Sequence, residues 1–394
     1  MNAIINGKII LPDEQGNFFI DDKIVTFDEK IISVESPRQI QADEIIDAEN
    51  NFVAPGFINI HIHGCNGFDA MDEDISALDG MIKFLPSCGV TSFLPTTMTM
   101  SVDKIKHALK NIRDKINSSN CAKIIGANLE GPFINPKFKG AQDETFILRA
   151  DFEIFSEFAD VIKIVTIAPE LTDENFVSRC REKNIIVSIG HSAATYEETL
   201  QAIECGASHV THLFNAQSGL HHRKPGIVGA ALTSNVIVEL IADNVHVHPA
   251  AQKIVAKVKP SDEIILITDS IRACGIGNGL SELGGQKIFV NGNLATLEDG
   301  TLAGSVATMN NVVKNFMANS EFNVAEVVEL VTKNPARELK IFDKVGSIEI
   351  GKAADFVIFD ENFNVKQTII DGKIIFYQTK TSDKALNFAT RQII

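Results

Sequence analysis

From residue 57 to about residue 268, eight short runs rich in apolar and β-branched residues alternate with stretches whose apolar positions recur every three or four residues. The runs are FINIHI (57–62), TSFLPT (91–96), KIIGANL (123–129), VIKIVTI (161–167), IIVSIG (185–190), HVTHLF (from His209), VIVELI (236–241) and EIILIT (263–268). Strands joined through helices run parallel, since the crossover returns the chain to the sheet in the same direction. Eight such units predict a (β/α)8 TIM-like barrel. An open doubly wound sheet would usually have fewer strands and a phosphate-binding glycine turn after the first, which the sequence lacks. Among the intervening helices, Ile75, Leu78, Met81, Ile82 and Leu85 define one apolar stripe, and Thr195 with Glu198 forms a capping-box pattern at the start of another. Helices within about 305–341 would close the barrel.

The flanks have no helical period. Residues 1–53 and 346–394 read as short strands with turn residues between them, and are expected to pair into one small β-sandwich beside a barrel catalytic domain at 54–345. The 36 basic against 51 acidic side chains give a net charge of −15, which disfavours nucleic acid and anionic membrane as partners. The start, MNAIINGKIILPDEQG, has no basic segment followed by a long apolar run, and no stretch of 18 apolar residues occurs, so a cytoplasmic protein is expected. Six cysteines lie far apart with no C-x-x-C, so reduced and mostly buried thiols are expected rather than a zinc ribbon or a disulfide framework.

In a parallel barrel, chemistry collects at the C-terminal ends of the strands. The first run ends in His61 and His63, which share a face because strand side chains alternate. The third ends in Glu130, the fifth in His191, the sixth in His212 and the eighth in Asp269. Each alone has a plain structural explanation; five of eight strand ends carrying such residues together predict a metal site. Imidazole and carboxylate without thiolate suit zinc, iron or manganese, with a position left for water. A metal-activated water is the implied nucleophile, and Asp269 suits the carboxylate that takes its proton and passes it to a leaving group.

The remaining histidines separate by position. His209 opens the sixth strand at the end away from His212, and His107 lies in a charged helix, so both read as structural or solvent-facing. His246 and His248 form a second H-x-H in a loop after the seventh strand; metal binding is one reading, and substrate contact by His246 the preferred one. The glycine-rich CGIGNGLSELGGQ lacks dinucleotide spacing and continues as hairpins, which are expected to fold over the barrel mouth.

Taken together, PGFINIHIHG, LEGPF, GHS, THLFNA, R-x-PG, DNVHV, TDS and LAGS resemble the N-acetylglucosamine-6-phosphate deacetylases of the amidohydrolase superfamily, and the match spans nearly the whole chain. The resemblance implies hydrolysis of N-acetylglucosamine 6-phosphate to glucosamine 6-phosphate and acetate, in amino-sugar catabolism and cell-wall sugar recycling. It implies one or two divalent ions per chain, zinc first, with iron, manganese or cobalt as alternatives. Glu130, His191 and His212 would hold the principal ion, His61 and His63 would be available to a second that shares Glu130, and Asp269 would be the general base and then acid. Substrate contacts carry over to Ala141, Gln142, Asn215, Ala216, His246, Leu302, Ala303 and Gly304. Arg223 would reach across from the neighbouring subunit of a homodimer. Some relatives lack the H-x-H pair and work with one metal, and some carry His where this chain has Gln142.

Four rivals share part of the pattern. A cyclic-amide hydrolase such as dihydroorotase would bridge two metals with a carboxylated lysine ending the fourth strand, but Lys163 lies too early in it. A purine deaminase would need His-Ala-Gly-Glu, which is absent. Deacetylation of N-acetylgalactosamine 6-phosphate is the nearest alternative, and a non-catalytic sugar-phosphate sensor would be expected to have lost Asp269 or a ligand.

Overall fold

The computed structural model describes residues 1–116, 118 and 121–378. Eight parallel segments follow the order of the sequence: β1 (Phe57–Ile62), β2 (Val90–Pro95), β3 (Ala127–Glu130, preceded by Lys123–Ile124), β4 (Ile162–Ile167), β5 (Ile186–Ile189), β6 (His209–Val210), β7 (Ile237–Leu240) and β8 (Ile264–Leu266). β3 to β8 form one six-stranded parallel sheet, and β1 and β2 pair with Lys123–Ile124 in another. The run KIIGANL is broken because Gly126 adopts φ +145°, and a Cβ there would lie 2.4 Å from Lys163 Cγ. A parallel bridge between Thr96 and Asn128 links β2 to β3. On the other side, the Asp269 N–H donates to the His61 carbonyl at 3.0 Å and the His63 N–H to that of Ser270 at 2.9 Å, which brings the end of β8 against β1. The result is a curled parallel sheet of the TIM-like barrel type.

Alternation within the strands sorts the two faces. Val165 and Ile167, Val187 and Ile189, and Val238 and Leu240 join the large apolar cluster that also contains helix residues such as Leu109, Val255 and Phe316. Ile58, Ile60, Leu94, Ile164, Ile241, Ile265 and Ile267 form a separate cluster. Side chains from strands as far apart as β1, β4 and β7 can meet only inside the curl, so this second cluster fills its interior. The predicted stripe forms the helix Ser76–Phe84 with Leu78, Met81 and Ile82 buried, and the capping box at Thr195 and Glu198 starts the helix Tyr196–Cys205. Three helices, Met309–Asn319, Val324–Glu329 and Lys333–Glu338, follow β8.

The terminal segments pair with each other as expected, but as one eight-stranded sheet rather than two separate ones. Its order places Phe356–Phe359, from the C-terminal segment, beside Phe52–Pro55, which in turn pairs with Asn2–Pro12. Asn2–Pro12 carries a register shift between Ile4 and Gly7, and the sheet has its own apolar cluster built on Val25, Phe27, Phe356 and Ile358. Positions 379–394 of the expected small domain lie outside the described residues. Among the described residues all six cysteines are free, and no helix is long and apolar enough to cross a membrane.

Candidate active site

The six residues read at the strand ends converge in the structure as two trios, His61 with His63 and Asp269, and Glu130 with His191 and His212. Within each trio the ligand atoms lie within 4.8 Å of one another, and all six side chains are buried. Glu130 joins the trios: Oε1 lies 3.1 Å from His191 Nε2, 2.9 Å from His212 Nε2 and 3.6 Å from His61 Nε2, and Oε2 lies 3.2 Å from His63 Nε2. Asp269 Oδ1 stands 3.2 Å from His63 Nε2 and 3.5 Å from His61 Nε2.

Backbone conformation aims these side chains. His191, His212 and Asp269 each take positive φ, at 46°, 29° and 48°, as do Phe214 and Ala216. A residue other than glycine in that region costs about 1–3 kcal/mol, and such residues cluster where function requires a particular side-chain direction. Here the left-handed turn at the end of the strand directs the ring or carboxylate over the mouth of the curl.

The hydrogen bonds behind the rings fix which nitrogen faces the centre. His191 Nδ1 lies 2.9 Å from the Phe138 carbonyl, His212 Nδ1 3.2 Å from that of Asn215, and His63 Nδ1 3.2 Å from that of Thr96. A carbonyl only accepts, so each Nδ1 carries a proton and each Nε2 is the nitrogen that faces the centre, with a lone pair to offer a cation when the ring is neutral. His61 Nδ1 is held at 2.9 Å by a carboxylate, Glu239 Oε2, and its Nε2 is buried with no hydrogen-bond partner. The Nε2 atoms of four imidazoles and oxygens of two carboxylates thus converge, with His191 Nε2 only 3.1 Å from His212 Nε2. Two carboxylates this deeply buried require cations, protons on the rings or a metal ion, and this donor set, each ring backed by a second partner, fits a divalent metal ion at either trio. The same imbalance appears in the titration of the groups. Burial opposes charge on Glu130, but the neighbouring His191 and His61 outweigh it and hold the carboxyl well below the usual range. Burial likewise opposes charge on His63, but Asp269 and Glu130 raise it well above the usual imidazole value. For Asp269 the balance again goes against burial, and hydrogen bonding to His63 lowers it.

A cavity of about 340 Å³ opens over the trios. Ala141, Gln142, Asn215, Ala216, His246, Leu302 and Gly304, all expected from the sequence to face the substrate, line it. Ala303 departs from that expectation: it is fully buried and packs in a cluster with Ile271, Ile288 and Ala295, because its side chain turns away from the mouth while Leu302 and Gly304 face it. Gly304 has φ +61°, and a Cβ there would meet Ile271 Cγ2 at 2.5 Å, so the loop can pass this close only with glycine. Gln142 reaches further in than a substrate contact requires. Its Nε2 donates to Glu130 Oε2 at 3.0 Å while its Oε1 accepts from the Thr99 N–H at 2.7 Å. The hairpins after β8 form a three-stranded antiparallel sheet, Gly279–Leu283, Gln286–Asn291 and Leu294–Thr296, and Leu283 belongs to the cavity wall.

His246 Nδ1 lies 2.7 Å from Asp243 Oδ2, which leaves Nε2 for the cavity. His248 instead caps the helix Pro249–Val258 by accepting from the Ala250 N–H at 3.1 Å, which accounts for it without metal. His107 is exposed and its Nε2 lies 2.9 Å from the Glu73 carbonyl, and Lys163 donates to the Asp160 carbonyl away from the site. Arg223 is exposed and does not line the cavity of its own chain; its Nη1 lies 2.8 Å from His222 Nε2. Sequence reasoning missed Glu239 and Asp243, the carboxylates behind His61 and His246. The available signal for Glu239 was one acidic residue inside the apolar run VIVELI.

This fold and this arrangement of histidines and carboxylates define a hydrolase of the amidohydrolase type, and the chain belongs to the amidohydrolase family, whose model matches residues 52–375. Among individual relatives it is 41% identical over 367 residues, 90% of this chain and 91% of the other, to N-acetylglucosamine-6-phosphate deacetylase of Bacillus subtilis (strain 168). It is 32% identical to N-acetylgalactosamine-6-phosphate deacetylase of Escherichia coli O157:H7, covering 95% of this chain and 99% of that one. The crystal structure of N-acetylglucosamine-6-phosphate deacetylase from Thermotoga maritima superposes with a TM-score of 0.86 at 36% identity, covering 95% of this chain and 100% of that one.

Proposed function

We propose that this protein hydrolyses the acetamide of N-acetylglucosamine 6-phosphate to glucosamine 6-phosphate and acetate, as a metal-dependent deacetylase of amino-sugar catabolism and cell-wall sugar recycling. The observation that carries the reading is the pair of trios joined through Glu130, with Asp269 beside them, in a chain 41% identical to a deacetylase of that name over nine-tenths of its length. Glu130, His191 and His212 would hold the principal ion, zinc by preference, and His61 and His63 a second. Such an ion supplies Lewis acidity toward an amide carbonyl and lowers the pKa of water from about 15.7 to about 7.

The chain's own groups handle the protons. Asp269 is held ionised by His63 and His61, so at neutral pH it can accept a proton from the attacking water. The water oxygen joins the acetyl carbon, Asp269 passes the proton to the amide nitrogen, and the C–N bond breaks to release acetate and the amine. An amine is a poor leaving group unless protonated, so the same carboxyl serves both halves of the reaction. His246, held by Asp243, and the Asn215–Ala216 turn are placed to orient the sugar, and Gln142 steadies Glu130.

We further read residues 54–345 as a closed (β/α)8 barrel and residues 1–53, with the described part of 346–394, as a small domain built on the eight-stranded sheet, in a cytoplasmic homodimer. Kinetics on the two 6-phosphate epimers and on their unphosphorylated forms test the substrate assignment. The expected order in kcat/KM is N-acetylglucosamine 6-phosphate first; a preference for N-acetylgalactosamine 6-phosphate, the substrate in the Escherichia coli relative's name, would replace it.

The dimer reading rests on Arg223. A phosphate is best held by a guanidinium, which can donate two parallel hydrogen bonds, and Arg223 is exposed and outside its own chain's cavity. If it serves the partner's site, mixing Arg223→Ala with Asp269→Asn chains under subunit exchange restores about a quarter of wild-type activity at low substrate. About half the dimers are then mixed, each with one intact site of two. No recovery, with exchange verified independently, removes Arg223 from the neighbouring site.

A further inference from the structure

Behind His61 runs a line of buried ionisable groups that the hydrolysis does not itself use. Glu239 Oε2 lies 2.9 Å from His61 Nδ1 and accepts the His212 N–H at 3.1 Å. Its other oxygen, Oε1, faces His209 Nε2 at 3.3 Å, and His209 Nδ1 faces Glu338 Oε1 at 3.5 Å. His61, Glu239 and His209 are fully buried. Glu338 lines a cavity of about 920 Å³ whose wall includes Asn184, Ile185 and Ser208, at the N-terminal ends of β5 and β6 and so on the opposite side of the barrel from the trios. A carboxylate–imidazole chain therefore spans the interior from a candidate metal ligand to the far mouth.

A metal-ligating imidazole depends on the partner of its other nitrogen for tautomer and direction. Glu239 is that partner, and one of its oxygens is committed to His61 and His212. Its second oxygen is fully buried, where a carboxylate oxygen without a cationic neighbour is costly. The group facing it there is His209. We propose that His209 is a positioning residue: clamped between Glu239 and Glu338, it fixes Glu239 so that His61 keeps its Nε2 lone pair on the second ion's position. Burial opposes charge on His209, but Glu239 and Glu338 outweigh it and raise it to about 9. At neutral pH the ring is thus an imidazolium held by charge between two carboxylates, as ion pairs rather than formed hydrogen bonds, whereas neutral imidazole would offer an N–H to only one. His209 touches neither reacting atoms nor substrate, and its role runs entirely through Glu239 and His61.

The inference rests on the reading of His61 and His63 as ligands of a second ion, and the test separates the two. Metal-free protein is titrated with Co²⁺ by calorimetry and absorption for the wild type, His61→Ala/His63→Ala, His209→Leu, His209→Gln and Glu338→Gln. The wild type is expected to take two ions and the double variant one. The His209 variants should keep the first ion and bind the second about 10–100-fold more weakly, with Glu338→Gln changed less in the same direction. In ¹H–¹⁵N spectra of the metal-free protein, the slowly exchanging His61 Nδ1–H should be present in the wild type and lost in His209→Leu. If His209→Leu does not fold, His209→Gln is read in the same two ways. An unchanged second ion and an unchanged Nδ1–H in the folded variants overturn the positioning role, as does equal weakening of both ions, which would mean general loosening. A wild type that takes one ion, unaltered by His61→Ala/His63→Ala, overturns the second-ion reading and this inference with it.

Discussion

Asp269→Asn is expected to lower kcat by about 10²–10⁴-fold, the usual worth of a positioned acid–base group, while metal content and thermal stability stay near wild type. Asparagine matches the carboxylate in shape and can still face His63, but it cannot take a proton from water and return it to nitrogen. The backbone at this position adopts φ 48°, a region that asparagine tolerates as readily as aspartate, so the substitution adds no new strain. The structure also explains why an ionised carboxylate is available here: Asp269 Oδ1 lies within 3.5 Å of both His61 Nε2 and His63 Nε2. Rapid-quench measurement of acetate under single turnover, beside elemental analysis of the same sample, checks the expectation. Near-normal turnover with full metal would remove Asp269 from proton transfer.

Glu130→Gln should do more damage by a different route. Glu130 is the carboxylate common to both trios, and replacing it leaves four imidazoles around a neutral amide. Both ions should be lost or held much more weakly, and activity should fall by about 10³-fold or more. Loss of oxyanion stabilisation alone is worth about 10²–10³, and activation of the water is lost as well. The discriminating measurement is metal per chain after gel filtration: low for Glu130→Gln, unchanged for Asp269→Asn. Full metal in Glu130→Gln would place the ions elsewhere.

Much of this was legible because strand parity and strand order are properties of the sequence itself. The β/α alternation gave the eight segments in order, and the rule that chemistry sits at C-terminal strand ends selected His61, His63, Glu130, His191, His212 and Asp269 from them. All six meet around Glu130 in the structure. What stayed hidden depends on which strands face each other across the interior. VIVELI reads as a buried strand, and nothing local shows that Glu239 meets His61, 178 residues earlier, or His209 on the adjacent strand. The place of His209 at the start of its strand sets it apart from the strand-end residues, but its two carboxylate partners come from other elements. Ala303 was carried along with its neighbours, though adjacent residues of an extended loop point to opposite sides. The terminal segments showed that they were strands; that they would join one sheet through Phe52–Pro55 and Phe356–Phe359 is a pairing between the two segments, which no local pattern encodes.

Metal-dependent deacetylation of a phosphorylated amino sugar is the reaction assigned to this cluster. It is tested most directly by following acetate released from N-acetylglucosamine 6-phosphate by the protein stripped of metal with a chelator, and then by the same protein reloaded with zinc. No acetate above background is expected before reloading, and stoichiometric acetate with glucosamine 6-phosphate afterwards. Acetate release at an equal rate from the stripped protein, or none from fully reloaded protein, would contradict it.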